Sequence, residues 1–430
     1  MEKIVVEGGV SLKGEIFISG AKNAALPLMA ASLLTDQPLC LHHVPALSDV
    51  SRMEALLAQH GVDVQKNAAE KTLTLQASII TNTVAPYDIV SKMRACILVL
   101  GPLLARCGEA KVSLPGGCAI GIRPLNVHIE SLRSLGAEID IEGGYICAKV
   151  SSQGLRGAHI AMPLVTVNGT ENVMMAAVLA KGSTIIKNAA KEPEVSDLAH
   201  CLNAMGAKIS GIGTDTLVID GVEQLGGTTH AIIPDRIEAA TYAVASAITH
   251  GDIVLRDVVF DDLFTFWNHL SKAGALIEAM PSAHNPAFSD VRVRMPGEIQ
   301  GVDMMTEPYP GFPTDIQAQF MALMTLCNGA AMITETIFEN RLMHVPELCR
   351  MCADITVHKT STLVRGVKEL VGSHVMATDL RASVSLILAG LAAKGTTTVQ
   401  RIYHIDRGYE RVEEKLRQCG AVMERVPTEA

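Results

Sequence analysis

Six copies of one pattern run through the chain, and that periodicity limits its fold more than any other feature. Runs of small apolar residues at helical spacing each pass through a turn into a strand. Examples are LMAASLLTDQPLCLHHV from Leu28, MMAAVLAKGSTIIKNA from Met174, YAVASAITHGDIVLRDV from Tyr242, FMALMTLCNGAAMITET from Phe320 and SVSLILAGLAAKGTTTVQRI from Ser383. Each continues into an amphipathic helix that stops at a Gly-Ala-like step before another strand. The stops are Gly61-Val62, Gly136-Ala137, Gly206-Ala207, Gly274-Ala275, Cys352-Ala353 and Gly420-Ala421. Their spacing is nearly even. Glycine at a helix end supplies the left-handed residue that closes the helix. Six units of about 70 residues, each with two helices and several strands, predict an α/β chain. They divide into two domains of three, with a single solenoid of six as the alternative.

The length of 430 residues exceeds what one core usually organises, which favours two domains. Aromatic residues make up only 3% of the chain and Asp+Glu outnumber Lys+Arg by 45 to 36, which argues against nucleic acid as a partner. With a net charge of -9, an anionic substrate has to be held by a local cluster of cations. The apolar stretch Ala95 to Ala105 is about half a membrane span and contains Gly-Pro. The N-terminus alternates like a strand and holds no signal-peptide core. Cysteines such as Cys40, Cys96, Cys147, Cys201 and Cys327 stand singly in apolar segments, as reduced buried thiols do. These features predict a cytoplasmic protein with no membrane partner.

A second feature recurs in phase with the first. The first helix of each unit opens on polar or charged residues: Lys22-Asn23, Lys92-Met93-Arg94, Thr170-Glu171-Asn172, Asp235-Arg236, Asp315 with Gln317, and Asp379 with Arg381. Helix N-termini carry unpaired N–H groups and partial positive charge, so they attract anions. Asp235, Thr170 and Asp379 are explained as ordinary caps. Lys22, Arg94 and Arg381 oppose the helix dipole unless an anion binds there.

The segment SLPGGCAIGIRP, from Ser113 to Pro124, is dense in Gly and Pro and predicts a surface loop. Cys118 sits in it with Arg123 nearby, and a nearby cation favours the reactive thiolate. It is either a loop cysteine of no consequence or an acid or nucleophile on a lid. Asp315 follows the Pro-rich TEPYPGFPT and is either an N-cap or a functional carboxylate. Arg407, in HIDRGYER, is by default a solvated helix-end arginine. There is no P-loop, dinucleotide fingerprint, H-E-x-x-H or G-x-S-x-G. Cys349 and Cys352 form a C-x-x-C without a second pair, which reads as packing rather than a metal site.

The segments GAKNAALPLMAASLL, SLPGGCAIGIRP, PGFPTDIQAQF, ITETIFENRLMHVPEL, TDLRAS and IYHIDRGYERVEEKL resemble, in order and over nearly the whole chain, the UDP-N-acetylglucosamine 1-carboxyvinyltransferases. The resemblance implies two inside-out α/β barrel domains of three units each, residues 22–232 and residues 1–21 plus 233–430. It implies transfer of the enolpyruvyl group of phosphoenolpyruvate to the 3-hydroxyl of UDP-N-acetylglucosamine with release of phosphate. No metal or organic cofactor is implied.

By the same resemblance, Lys22, Arg123 and Arg407 hold phosphoenolpyruvate, and Asn23 lies beside the reacting centre. Cys118 matches the family's general acid, which fosfomycin alkylates. Asp315 matches the carboxylate that contacts the sugar hydroxyl and acts as base. Arg94, Arg123, Pro124, Leu125, Asn126, Val127, Leu164, Val165, Thr166, Val167 and Ile337 match nucleotide-sugar contacts. Asp379 and Arg381 match charged residues of the family's cleft. Two stretches depart from the family pattern. Arg-Pro-x-Asp-Leu is replaced by Arg123-Pro124-Leu125-Asn126-Val127, and Lys-x-Ser-Val-Gly-Ala-Thr by Leu164-Val165-Thr166-Val167-Asn168-Gly169-Thr170. Both lie on the nucleotide-sugar side. A different nucleotide acceptor, or a catalytically silent UDP-sugar-binding relative, is the alternative.

Overall fold

The computed structural model describes residues 2–114 and 125–428. The described residues divide into two compact units, 20–114 with 125–233 and 2–19 with 234–428. Each unit carries three four-stranded sheets of one plan among the described residues. Three units of one kind per body, rather than a run of six, is the arrangement adopted.

The plan is plainest where the chain runs straight through it. Strand His159–Ala161 leads into helix Val167–Ala177, then strand Ser183–Lys187, helix Pro193–Ala204, and strands Lys208–Ser210 and Thr216–Asp220. The first and second strands are parallel, with Ile160 opposite Ile186. A parallel pair needs a crossover, and helix Val167–Ala177 is that crossover. The remaining strands add antiparallel, with Ile186 opposite Leu217 and Ile209 opposite Ile219. In two sheets the parallel edge strand comes from far along the chain. Thr228–Ala231 closes the first unit by pairing with Leu39–His42, and Lys13–Phe17 pairs with Asp252–Val258. The N-terminal strand Glu2–Glu7 lies between Thr396–Gln400 and Val422–Pro427.

The crossover helices of the second unit are buried on all sides. Every residue of helices Arg236–Ile248 and Gln317–Met324 is buried, as are ten of the eleven in Ala382–Ala392. A helix without a polar face belongs in a core, and its small residues let neighbouring helices approach closely. Each fully buried Leu, Ile or Met adds roughly 1.5–3 kcal/mol. The second helices lie outside and are one-sided. Helix Ser48–Gln59 buries Asp49, Val50, Met53, Leu56 and Leu57 at helical spacing. First helices inside, with the second helices and the sheets around them, make each unit an inside-out α/β barrel.

All six expected stops are left-handed, with φ of 97° at Gly61, 96° at Gly136, 106° at Gly206, 107° at Gly274, 71° at Cys352 and 95° at Gly420. At Gly61 the chain makes the paired bonds of a Schellman turn: Gly61 N–H to Ala58 O at 3.0 Å and Val62 N–H to Leu57 O at 3.1 Å. Cys352 and Ala353 make the same two bonds, to Cys349 O at 3.0 Å and Leu348 O at 3.2 Å.

Candidate active site

The charged helix starts fall into two groups, one in each unit. In the Gly20–Ile233 unit, Lys22 is the first residue of helix Lys22–Ala31 and is buried. Its ammonium lies 3.1 Å from Asp49 Oδ2, while Asp49 Oδ1 takes Arg52 at 2.9 Å. An internal carboxylate therefore helps to hold the cation that opposes the dipole. Asp49 itself stands in the first turn of its own helix, where negative charge is favoured. Asn23 follows Lys22 and is half-buried.

Arg94 opens the 3-10 segment Arg94–Val99, near a buried amide-imidazole pair. Asn172 Nδ2 donates to Ile97 O at 2.9 Å and meets His128 Nδ1 at 3.1 Å, and Asn172 Oδ1 accepts from Gly101 N–H at 2.6 Å. Ile97 O can only accept, which fixes the amide orientation, so His128 Nδ1 must accept and the ring is neutral. Burial, reinforced by the Arg94 charge, pushes the His128 pKa down to about 4.

The nucleotide-sugar matches in this unit lie at two helix starts. Leu125 precedes helix Asn126–Ser134, in which Val127 is buried. Leu164 is 43% exposed and Val165 half-buried. Thr166, not Thr170, is the cap of helix Val167–Ala177, its Oγ1 accepting from Gly169 N–H at 3.4 Å. The helix starts before Thr170, so the Thr170 hydroxyl lies inside it. That hydroxyl donates to Thr166 O at 2.9 Å and accepts from Ala190 N–H at 3.0 Å. Cys118, Arg123 and Pro124 lie outside the described residues.

In the other unit Asp235 is a true cap: its Oδ1 accepts from Ile237 N–H at 2.8 Å and Glu238 N–H at 3.1 Å. Arg381 holds the cap position of helix Ala382–Ala392, and Asp379, two residues before it, closes the turn with Oδ1 accepting from Arg381 and Ala382 N–H, both at 2.8 Å. Asp315 does not occupy a cap position. It lies in the 3-10 turn Thr314–Ile316, and helix Gln317–Met324 follows with Ile316 at its cap. Its Oδ1 sits 2.7 Å from Arg341 Nη1 and its Oδ2 3.5 Å from Arg381 Nε. Arg381 Nη2 also lies 3.5 Å from Asp235 Oδ2, and Nη1 donates to Gly408 O at 3.0 Å. The Arg381 guanidinium stands 5.4 Å from the centre of the Tyr409 ring. The cation that fits the dipole poorly is thus neutralised by two carboxylates.

Ile337 donates its N–H to Glu335 Oε1 at 2.8 Å, and the same carboxylate takes the hydroxyls of Thr306 and Thr314, each at 2.9 Å. Arg407 ends the 3-10 segment Ile402–Arg407 and is half-buried. Sequence reasoning does not single out Arg341, although it lies within the segment ITETIFENRLMHVPEL. It is buried and also donates to Thr314 Oγ1 at 3.0 Å. Burial opposes its charge most strongly, but Asp315, Asp379 and Glu335 outweigh that and raise its pKa. His344, a little further along the chain, is fully buried, with both ring nitrogens lacking a hydrogen bond. Burial pushes its pKa down to about 4.

The family model for EPSP synthase (3-phosphoshikimate 1-carboxyvinyltransferase) matches residues 6–416. The UDP-N-acetylglucosamine 1-carboxyvinyltransferase of Rhodospirillum centenum is 58% identical over 99% of this chain and 99% of its own. That of Granulibacter bethesdensis is 57% identical over 99% and 100%. In fold, the enolpyruvyl transferase NikO from Streptomyces tendae matches with a TM-score of 0.88 at 21% identity, over 100% of this chain and 99% of its own. The EPSP synthase of Acinetobacter baumannii matches with a TM-score of 0.78 at 18% identity, over 99% and 100%. The chain belongs to the EPSP synthase (3-phosphoshikimate 1-carboxyvinyltransferase) family of enolpyruvyl transferases and, within it, to the UDP-N-acetylglucosamine 1-carboxyvinyltransferases.

Proposed function

We propose that this protein transfers the enolpyruvyl group of phosphoenolpyruvate to the 3-hydroxyl of UDP-N-acetylglucosamine, releasing phosphate, as the first committed step of peptidoglycan synthesis in the cytoplasm. The observation that carries this reading is 58% identity to a UDP-N-acetylglucosamine 1-carboxyvinyltransferase across both full chains. The domains in this reading are residues 22–232 and residues 1–21 plus 233–430.

The sugar hydroxyl attacks C2 of phosphoenolpyruvate while C3 takes a proton; the tetrahedral adduct then returns a C3 proton to the Cys118 thiolate as the bond from C2 to phosphate breaks, which restores the C2–C3 double bond and releases phosphate. Asp315 receives the hydroxyl proton. Arg341 holds one of its oxygens at 2.7 Å and the Arg381 charge lies 3.5 Å from the other, so the carboxylate is oriented before substrate arrives. Cys118 supplies the proton to C3. Lys22, Arg123 and Arg407 neutralise phosphate and carboxylate, and they stabilise the charge that grows as phosphate leaves. Asn23 lies beside the reacting carbon. Arg94, Pro124, Leu125, Asn126, Val127, Leu164, Val165, Thr166, Val167 and Ile337 hold the nucleotide-sugar, with Asp379 and Arg381 ordering the charged wall.

The test is phosphate release from phosphoenolpyruvate with UDP-N-acetylglucosamine, UDP-glucose and UMP in parallel, before and after fosfomycin. Release specific to UDP-N-acetylglucosamine and abolished by fosfomycin is expected. Release with another nucleotide alone would mean that Leu164 and Asn126 mark a changed acceptor. No release with any of them would overturn the reading.

A further inference from the structure

The C-x-x-C pair is the sequence motif that the proposed chemistry leaves unused, and the structure does not bury it. Cys349 and Cys352 are both exposed, whereas Leu348, Met351 and Ala353 around them are buried. The reading of this pair as core packing is therefore corrected. The reason lies in the repeat. At three of the five equivalent stops, Gly136, Gly206 and Gly420, an added Cβ would meet no atom within 4 Å, whereas at Gly61 and Gly274 it would meet Ile79 O at 2.8 Å and Glu298 O at 3.2 Å. Cys352 follows the open pattern, its side chain being exposed.

The backbone holds the two cysteines at either end of one closed turn. Helix Val345–Arg350 ends in the Schellman turn, closed by the 3.0 Å bond from Cys352 N–H to Cys349 O. A turn closed between residues i and i+3 keeps their Cα atoms within about 7 Å. Disulfides span Cα separations of about 4.4–6.8 Å. Cys352 also holds φ at 71°, in the left-handed region that the other five repeats give to glycine. A side chain kept at a strained position, beside a second thiol one turn away, is a reason to look for chemistry there.

We infer that Cys349 and Cys352 form a dithiol site that closes reversibly to an internal disulfide in the presence of a low-molecular-weight disulfide such as oxidised glutathione. One thiolate attacks a sulfur of glutathione disulfide and expels one glutathione. The second cysteine then attacks the mixed disulfide and expels another. Two protein thiols are oxidised, one disulfide is reduced to two glutathione molecules, and the two thiol protons end on them. Partial desolvation at the helix end pushes the Cys349 thiol above its usual range, so the thiolate is scarce at neutral pH. Equilibrium occupancy, rather than rate, is therefore the quantity to measure.

The unmodified full-length protein is equilibrated in glutathione buffers of graded reduced-to-oxidised ratio, quenched by alkylation and mapped by mass spectrometry. Cys107, exposed and without another cysteine at this spacing, serves as the internal comparison. The expected result is a bond between Cys349 and Cys352, lighter than the dithiol by two hydrogens and reversed by reductant, while Cys107 stops at a glutathione adduct. Two results would overturn the inference. One is glutathione adducts accumulating on Cys349 or Cys352 as they do on Cys107; the other is both thiols staying free when Cys107 is modified.

Discussion

Asp315 Oδ1 lies 2.7 Å from Arg341 Nη1, so the turn before helix Gln317–Met324 presents a carboxylate tied to a deeply buried cation. The two ends of the pair differ in access: the Asp315 side chain is 23% exposed and that of Arg341 4%. An anchored carboxylate that stays partly open can accept a proton from a bound hydroxyl without being free to swing away. Asp315→Asn keeps the shape and removes the proposed base. Its kcat for phosphate release should fall by about 10²–10⁴, while its thermal unfolding keeps a single folded baseline. Activity within a factor of about three of the parent would remove Asp315 from the role of base.

Arg381 carries a different consequence. Its side chain and that of Asp235 are 2% and 5% exposed, so removing the arginine takes counter-charge from a buried carboxylate. Arg381→Met should cost about 3–5 kcal/mol of stability, and adding Asp235→Asn should recover part of that loss. Urea unfolding of the two single variants and the double variant measures it. Strict additivity would mean that the 3.5 Å separation reflects proximity without coupling.

These relationships show where the sequence is legible. The helix stops are readable because a left-handed closing residue is a local requirement, and Gly61 through Gly420 all satisfy it in the structure. The buried first helices of the second unit are readable because they lack a polar face. Pairing is not readable. Lys22 conflicts with the helix dipole on sequence grounds because its partner Asp49 belongs to the next helix, whose docking no local pattern reports. Arg341 escapes notice for the same reason: helix Gln317–Met324 and strand Ala330–Thr334 separate it from Asp315 along the chain. Thr170 reads as a cap because two threonines, Thr166 and Thr170, lie one turn apart, and only the helix start distinguishes them.

The neutral His128 makes stability depend on pH in a defined window. Its folded pKa of about 4 lies below its ordinary value of 6.5, so the unfolded chain binds the proton first. The stability attached to the neutral ring is fully present above about pH 6.5 and is lost as pH falls toward 4. A difference of that size corresponds to about 3 kcal/mol. His128→Asn leaves an oxygen to accept from Asn172 and removes the titration. Urea unfolding at about pH 7 and about pH 4.5 should show a smaller loss in the variant than in the parent. An equal loss in both would mean that other groups, such as His344, dominate the acid side.

Cys352 supplies a prediction that runs against the usual direction of mutation. An L-residue in the left-handed region costs about 1–2 kcal/mol, which glycine does not incur. Glycine gives back roughly 0.5–1 kcal/mol through the extra freedom of the unfolded chain. Under reducing conditions Cys352→Gly should therefore raise the unfolding free energy by about 0.5–1 kcal/mol. The converse change provides the check. Gly136→Ala, where the added Cβ meets nothing within 4 Å at a φ of 96°, isolates the backbone effect and should lower stability by a similar amount. If Cys352→Gly is destabilising while Gly136→Ala behaves as expected, the cysteine side chain makes a folded-state contribution larger than its backbone cost. If both fail, the helix stops are held by their hydrogen bonds and not by the identity of the residue that turns the chain.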